Sequence, residues 1–192
     1  MTLPPPAKIN GIRAVSVPGQ HSAQVFNAQI LQAGVVSSVS LTRPSNTTAY
    51  TAGDVIGIAD AETPANAGSA IFEFTSVGNT GELIKIAAST FQVNLSAVPA
   101  SMTSFKLHLY NASPTAILDN AAFDLVSGDR TKYLGSIDLG TPADLGSTLF
   151  SQNDAVNKLV KLVTTSFYGV IETASGYTPA SGTGMTVTLI TG

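Results

Sequence analysis

Histidine is the residue type best suited to acid–base or metal chemistry near neutral pH, and this chain has two histidines and no cysteine. His21 lies in a leader that contains several prolines, and His108 lies in an alternating apolar segment. Neither histidine has a cluster of further ligands beside it, which a histidine metal site requires. A Ser-His-Asp triad is set by space and not by sequence order, but no Gly-x-Ser-x-Gly motif is present. We therefore interpret His108 as a surface or interface residue.

The acidic residues Asp119, Asp124 and Asp129 raise the possibility of a calcium site. Their spacing of five residues does not match the alternating ligands of an EF-hand loop. The pairs Asp119-Asn120 and Gly128-Asp129 are more typical of turns, because aspartate and asparagine bond their own backbone. The sequence therefore favours turns over a calcium site here.

Paired carboxylates for glycoside hydrolysis would have to face each other across a cleft. Tryptophan, which commonly forms the platform of a sugar site, is absent from the chain. The glutamates available for such a pair have no aromatic platform beside them: Glu62, Glu73, Glu82 and Glu172. The sequence therefore predicts a protein that is not an enzyme and that has no cofactor and no metal.

The composition is unusually poor in charge. Charged residues make up 11% of the 192 residues, against about 25% in a typical domain. The formal charge is −3, and Lys158 and Lys161 are the closest approach to a basic cluster, which argues against nucleic acid as a partner. No apolar run is long enough to span a membrane, and Met1 to Pro4 lack the features of a secretion signal. A neutral, hydroxyl-rich surface suits a protein that works inside an assembly.

The elements that must position these residues are strands. Residues 35–42 alternate in polarity, and residues 105–110 place Phe105, Leu107 and Leu109 on one side with Lys106, His108 and Tyr110 on the other. Residues 83–88 and 91–95 predict two further strands, and residues 23–32 predict the first strand. Residues 154–163 fit either a helix or a strand, and their β-branched flanks favour a strand. About ten short strands without βαβ alternation predict an all-β, single β-sandwich that is jelly-roll-like, over residues 23–192.

The stretch from Arg43 to Ile58 predicts a structured corner between two strands. Pro44 ends ladder pairing because it has no N–H to donate. Gly53 and Asp54 form a second turn, after which the next strand begins. Tyr50 lies between the two turns, where its ring is expected to close one end of the core while its hydroxyl meets backbone.

This corner also resembles part of a small family of structural proteins of tailed-bacteriophage virions. The similarity consists of Arg43-Pro44, a polar turn and the run Thr48-Ala49-Tyr50-x-Ala52-Gly53-Asp54-Val55-Ile56-Gly57. Residues 107–115 with 119–123 are similar to the middle of the family, and residues 167–171 with 174 and 177–182 are similar to its end. Together these segments span about residues 35–192. The resemblance implies a β-sandwich of the capsid surface.

The leader, residues 1–22, lies outside the resemblance. Pro4, Pro5 and Pro6 favour extended polyproline geometry, and the leader has almost no apolar periodicity. We interpret it as an extended, proline-rich N-terminal arm that docks on a neighbouring subunit. Its candidate contacts are the apolar residues Ile9, Ile12, Val15 and Val17.

Two functions follow as expectations. The first is a structural virion protein, made in the host cytoplasm, that binds the outer capsid shell as a cement or decoration protein. Its expected partners are the major capsid protein and further copies of itself, as a dimer or trimer. The second is a receptor- or glycan-binding module of a tail or head fibre, with a site on loop tips at residues 60–69 and 175–184.

Overall fold

The computed structural model describes residues 8–9, 12–13, 34–58 and 71–192. By its internal contacts the chain divides into one unit from Met1 to Leu31 and a second from Gln32 to Gly192. In the first unit, β1 (Lys8–Ile9) and β2 (Ile12–Arg13) pair antiparallel, with Ile9 opposite Ile12. Val15, Val17, the predicted strand at residues 23–32 and the predicted boundary between residues 22 and 23 lie outside the described residues.

The second unit consists of strands and one short 3-10 helix, Ser127–Asp129, in its described residues. The predicted all-β class is confirmed. The strands are β3 (Val35–Thr42), β4 (Val55–Ile56), β5 (Phe72–Phe74), β6 (Leu83–Val93), β7 (Phe105–Tyr110), β8 (Tyr133–Gly140), β9 (Ala143–Asp144), β10 (Leu149–Asn153), β11 (Lys158–Lys161), β12 (Phe167–Thr173) and β13 (Gly184–Thr191).

These strands form two antiparallel sheets. The first sheet has the order β3-β13-β6-β10-β9, and β11 pairs with the beginning of β6. The second sheet has the order β4-β12-β7-β8, and β5 pairs with the beginning of β12. Along the sequence the chain passes repeatedly from one sheet to the other, so strands that follow one another are seldom paired.

One apolar core lies between the two sheets, which gives the unit a sandwich-like form. Strand alternation supplies it, because every second side chain of a strand points to the same face. Phe105, Leu107 and Leu109 of β7 are fully buried, as their spacing predicts, and the Phe91 ring of β6 packs at a tilt on Phe105, with ring centroids 4.9 Å apart. At one side, Asn153 Nδ2 donates to the Asp138 carbonyl at 2.9 Å and so connects the two sheets.

A second, smaller apolar cluster covers the outer face of the second sheet. Val55, Tyr110 and Val170 form its centre, and Phe123 and Leu125 pack on them from the connection between β7 and β8. Tyr110 and His108 point away from the main core, as their parity predicts, yet both are buried. The interpretation of His108 as a surface residue is therefore wrong, because this connection folds back over the sheet.

One strand assignment needs correction, and one ambiguous segment is settled. Residues 83–88 and 91–95 were predicted as separate strands, but β6 runs without interruption from Leu83 to Val93. Ser89 and Thr90 do not break the strand, because they continue the ladder to β13 opposite Leu189 and Thr188. In the ambiguous segment 154–163, the favoured strand is present as β11.

Candidate functional site

The predicted corner contains the most highly connected polar side chains of the described chain. Arg43 follows β3 directly and is buried. Its Nη2 donates to Asp119 Oδ2 at 2.9 Å, and both side chains are fully shielded from solvent. Its Nε donates to the Tyr50 hydroxyl, and its Nη1 donates to the Ala180 carbonyl at 3.1 Å. One guanidinium thus connects three segments that are far from one another in sequence, at Tyr50, Asp119 and Ala180.

Asp119 is the acceptor at the centre of this cluster. The Tyr50 hydroxyl donates to Asp119 Oδ1 at 2.6 Å, and the Gly57 backbone N–H donates to the same oxygen at 2.9 Å. The Tyr50 hydroxyl therefore meets a carboxylate and a guanidinium, and not backbone as the sequence suggested. Because every charge has its partner, the cost of burying the ion pair is offset by hydrogen bonds. We call Arg43, Tyr50 and Asp119 the corner triad.

Two members of the corner triad, Tyr50 and Arg43, have shifted pKa values. Burial raises the pKa of the Tyr50 hydroxyl well above its ordinary value, and the neighbouring Asp119 carboxylate adds to that effect. Burial acts to lower the pKa of Arg43, but its contacts with Tyr50 and Asp119 raise it overall. The tyrosine therefore stays neutral and the arginine stays charged, which preserves the hydrogen bond that Arg43 donates to Tyr50.

Gly53, Asp54 and Pro44 form the turns of the corner. Gly53 has a φ of +91°, which glycine adopts without a side-chain penalty. Asp54 Oδ2 accepts from the backbone N–H of Thr51 at 2.6 Å and from its hydroxyl at 3.0 Å. The Pro44 carbonyl accepts from Gly182 N at 3.2 Å. Each residue of the predicted corner therefore contacts protein atoms.

Sequence reasoning did not assign Asp119 and Tyr177 to the corner. Asp119 was interpreted as a turn former, and it is the buried partner of Arg43. Tyr177 packs on Tyr50 with ring centroids 5.1 Å apart and on Phe105 at 6.1 Å, which connects the corner to the main core.

A second polar cluster lies on the outer face of the second sheet. His108 Nε2 lies 2.6 Å from Glu172 Oε2, and His108 Nδ1 lies 3.0 Å from the Tyr133 hydroxyl. The Phe123 ring stacks on the imidazole with centroids 3.7 Å apart. This geometry fits a neutral imidazole whose Nε2–H donates to Glu172 while Nδ1 accepts from Tyr133. Both ring nitrogens and one ring face are in use, so this pair is not poised as a general base toward solvent.

Lowering the pH is expected to weaken the fold through His108. Burial lowers the pKa of His108, although the hydrogen bond with Glu172 acts in the opposite direction. Below the unfolded pKa of about 6.5 the unfolded chain then binds a proton that the folded chain excludes. The contribution of His108 to the free energy of unfolding is therefore fully present above that pH. It is lost as the pH falls, by at most about 1.4 kcal/mol per pH unit.

Urea unfolding between pH 7.5 and pH 5.0 measures this effect. The His108→Gln variant keeps a polar side chain but cannot be protonated, so its stability is expected to fall less steeply than that of the original chain. Parallel pH profiles for the two proteins would contradict the assignment of the effect to His108.

The three aspartates of the possible calcium site are not brought together. Asp119 belongs to the corner triad, and Asp124 is exposed. Asp129 Oδ2 accepts from the Thr115 backbone N–H at 2.7 Å, and its Oδ1 accepts from Lys132 Nζ at 2.8 Å. That hydrogen bond with Lys132 lowers the pKa of Asp129. Within the described residues, no group of three or more His, Cys, Asp or Glu side chains is arranged to hold a metal ion.

On strands β3, β13, β6 and β10 the outer face of the first sheet is poor in charge and rich in hydroxyl groups, whereas β11 has two lysines and β9 has Asp144. Strands β3, β10 and β13 contain no charged residue, and β6 contains Lys85 alone. Ser38 Oγ bonds Thr188 Oγ1 at 2.7 Å, and Ser40 Oγ bonds Thr186 Oγ1 at 2.7 Å. We call the side chains of this surface the hydroxyl face: Ser38, Ser40, Thr90, Gln92, Phe150, Gln152, Thr186 and Thr188.

An exposed apolar pair borders the hydroxyl face. Val36 of β3 lies opposite Ile190 of β13, and the two residues are 64% and 37% exposed. Leu83 and Leu159 are exposed near the opposite, β11 side of the same sheet. When another protein covers a surface that has few charges and apolar borders, little free energy is spent on desolvating charged groups. Such a surface is therefore suited to protein contact.

A polar groove is a concave feature of the second unit. Its volume is about 360 Å³, and it lies between β8 and the connection of β10 to β11. Hydroxyl, carboxylate, amide and amino groups line it, from Ser136, Asp138, Asn153, Asn157 and Lys158. Such groups can hydrogen-bond a small polar ligand.

Neither a protein-family model nor a curated protein matches the chain. Within the described residues, no helix has the length and apolar character needed to cross a membrane.

Proposed function

We propose that the chain is a structural protein of a tailed-bacteriophage virion that binds the outer capsid shell as a cement or decoration protein. The observation that carries this proposal is the hydroxyl face with its apolar border at Val36 and Ile190. Covering such a face with the major capsid protein costs little desolvation of charge. The similarity of the corner to proteins of the capsid surface supplies the setting.

A jelly-roll sandwich is part of the same proposal. Its support is the order of the main strands, β3-β13-β6-β10 in one sheet and β4-β12-β7-β8 in the other, with all pairs antiparallel. Two four-stranded sheets between which the chain alternates, apart from one hairpin such as β7-β8, correspond to the jelly-roll arrangement found in viral capsid domains.

The charged and polar side chains that could act in catalysis form hydrogen bonds within the protein, which supports a structural role over a catalytic one. The corner triad ties together the segment after β3, the connection of β7 to β8 and the connection of β12 to β13. Asp54 and Asp129 bond neighbouring backbone N–H groups. These contacts hold three connections rigid at one end of the sandwich, which preserves the shape of its faces.

Bridging is the proposed mechanism. A protein that contacts two neighbouring capsid subunits holds them at a high effective concentration, so that modest individual contacts add up to a stable attachment. Many copies on one shell then resist its expansion together.

The N-terminal segment is proposed to contribute an arm to this attachment, with Ile9, Ile12, Val15 and Val17 as its contacts. Deleting residues 1–22 is expected to leave the melting temperature of the remaining chain nearly unchanged, because Gln32 to Gly192 form a unit of their own. The same deletion is expected to weaken binding to shells. Circular dichroism melts and a shell-binding assay measure the two effects, and loss of folding would place the segment in the core instead.

Shell binding is the experiment for the proposed function. Purified protein is mixed with capsid shells of the encoding phage that were assembled without it, and bound protein is measured by co-sedimentation. Saturable binding with a higher shell melting temperature is expected. Thr188→Glu, which places a charge in the hydroxyl face, is expected to abolish binding, and Thr131→Glu, at an exposed turn beside the second sheet, is expected to preserve it. Absence of saturable binding, or equal loss in both variants, would refute the proposal.

The polar groove favours a second candidate, a receptor- or glycan-binding module of a fibre. Its hydroxyl, amide and charged groups match the hydrogen-bonding pattern of a sugar. An array of immobilised glycans distinguishes the two functions: selective binding that is lost in Asp138→Ala supports the module, and uniform absence of binding supports the capsid protein.

A further inference from the structure

Two leucines and two lysines form a square on the outer face of the first sheet, where β11 pairs with the beginning of β6. Leu159 lies opposite Lys85, and Lys161 lies opposite Leu83. On each strand the residue between them is buried, so the four side chains point outward. Leu83 and Leu159 are 60% and 63% exposed, and both lysines are exposed as well. We call these four residues the leucine–lysine square.

The backbone ladder fixes the spacing within the square. Lys85 exchanges both of its backbone hydrogen bonds with Gly192, at 3.0 Å each, so its backbone points away from β11. Lys85 and Leu159 therefore form a non-hydrogen-bonded pair, in which the opposite Cα atoms are about 4.5 Å apart. The two lysines occupy diagonal corners of the square, and diagonal neighbours in a sheet are about 7–8 Å apart.

The lysines of the square have no carboxylate partner among the described residues. The cations that do form ion pairs there are Arg43, Lys106, His108 and Lys132. Glu82 is the acid next to the square in sequence, and its Oε2 accepts from the Asn79 backbone N–H at 2.6 Å. Residues 1–53 contain no aspartate and no glutamate, so the leader brings no carboxylate to the square.

We propose that the leucine–lysine square binds an extended acidic segment of the capsid protein. This inference rests on the proposed function and names the chemistry of the partner at one end of the contact. In an extended segment, two carboxylates that are separated by one residue point to the same face about 7 Å apart, which matches the diagonal of the lysines. Apolar side chains of the same segment cover the two leucines.

The charge of the square selects this partner over other occupants. A second copy of the chain brings two more lysines and no carboxylate, so two squares in contact leave four cations without an anion. The phosphates of a nucleic acid pair with lysines but offer no apolar surface to the leucines. An anionic membrane is typically recognised by about four to eight basic residues, and the square has two. Strand β6 also contributes Thr90 and Gln92 to the hydroxyl face, so one partner can cover both surfaces.

Carbodiimide cross-linking tests the partner directly, because it joins an amine to a carboxylate that it touches. Shells carrying the full-length protein are treated with a water-soluble carbodiimide, and the linked peptides are identified by mass spectrometry. Lys85 and Lys161 are expected to be linked to aspartate or glutamate of the capsid protein. Linkage of these lysines to Asp60 or Glu62 of the same chain, or linkage through other lysines alone, would overturn the proposal.

Charge reversal tests the same contact by affinity. Lys85→Glu combined with Lys161→Glu is expected to weaken binding to shells by about tenfold or more, because like charges then meet. The melting temperature of this variant is expected to stay nearly unchanged, because neither lysine has an ion-pair partner in the described chain. Arg130→Glu is the matched control for Lys161→Glu alone: it changes the charge equally at an exposed site on the connection of β7 to β8 and is expected to preserve binding.

The outcomes separate this inference from the function on which it rests. Saturable binding that the double charge reversal leaves unchanged would overturn the acidic partner and leave the capsid function standing. Absence of saturable binding by the original chain would refute the capsid function and the inference together. Binding of double-stranded DNA by the original chain that is lost in the double variant would assign the square to a polyanion and overturn the proposal.

Discussion

Replacing Asp119 with alanine is expected to lower the free energy of unfolding by about 3–5 kcal/mol, because it leaves the buried Arg43 guanidinium without its charge partner. The same change removes the acceptor of the Tyr50 hydroxyl and of the Gly57 N–H. A domain of this size has only about 5–15 kcal/mol to lose. Urea or thermal unfolding measures the effect, with a large fall in the midpoint.

Two matched variants separate this cause from a general effect of removing an acid. Asp124 lies five residues further along the chain and is exposed, so Asp124→Ala is expected to change stability by no more than about 0.5 kcal/mol. Replacing both charges, with Arg43→Met and Asp119→Leu together, is expected to recover much of the loss, since no unpaired charge remains. Equal effects of Asp119→Ala and Asp124→Ala would contradict the corner triad.

The second large effect is expected at Phe91. Its side chain is fully buried between the sheets and packs on Phe105, so Phe91→Ala is expected to cost about 3–5 kcal/mol through lost burial and a cavity. Phe150 is the matched control, because it lies on β10 opposite Gln92 on the outer face. Phe150→Ala is expected to cost about 1 kcal/mol or less. Chemical unfolding of both variants measures the difference.

The comparison of Phe91 with Phe150 tests which face of the first sheet carries the core. If Phe150→Ala were as costly as Phe91→Ala, the hydroxyl face would be packed against something in the isolated chain. It would then be unavailable for a capsid protein to cover, and the proposed contact surface would have to lie elsewhere.

The parts of the fold that depend on local pattern were predictable from the sequence. Alternation in residues 105–110 assigned Phe105, Leu107 and Leu109 to the core, because strand geometry alone determines which side chains share a face. The turn at Gly53 and Asp54 was also predictable from local sequence, because both residue types favour turns, and Gly53 adopts a positive φ there. These features need no knowledge of which strands pair.

The parts that depend on tertiary contact were not predictable. Arg43 and Asp119 are 76 residues apart, and nothing in local spacing pairs a buried arginine with one aspartate among several. His108 was interpreted as a surface or interface residue, and its parity does point away from the main core. Its burial depends on Phe123 and the irregular connection around it, which has no strand period to announce where it packs.

The continuity of β6 depends both on local sequence pattern and on tertiary contact. Ser89 and Thr90 interrupt the apolar run and resemble a connection in isolation. In the sheet they lie between β13 and β10, with Ser89 opposite both Leu189 and Asn153. Hydroxyl side chains are compatible with strand geometry, so pairing on both sides overrides the local change in composition.

The central claim is that this chain is part of a capsid surface, and its position on the particle tests that claim most directly. Electron cryo-microscopy of virions of the tailed phage that the proposal implies, at a resolution that separates subunits, measures this position. The proposal predicts density for the sandwich on the outside of the shell, with the hydroxyl face toward the major capsid protein and each copy in contact with neighbouring subunits. Density in the tail or a fibre, or absence of the protein from the particle, would contradict it.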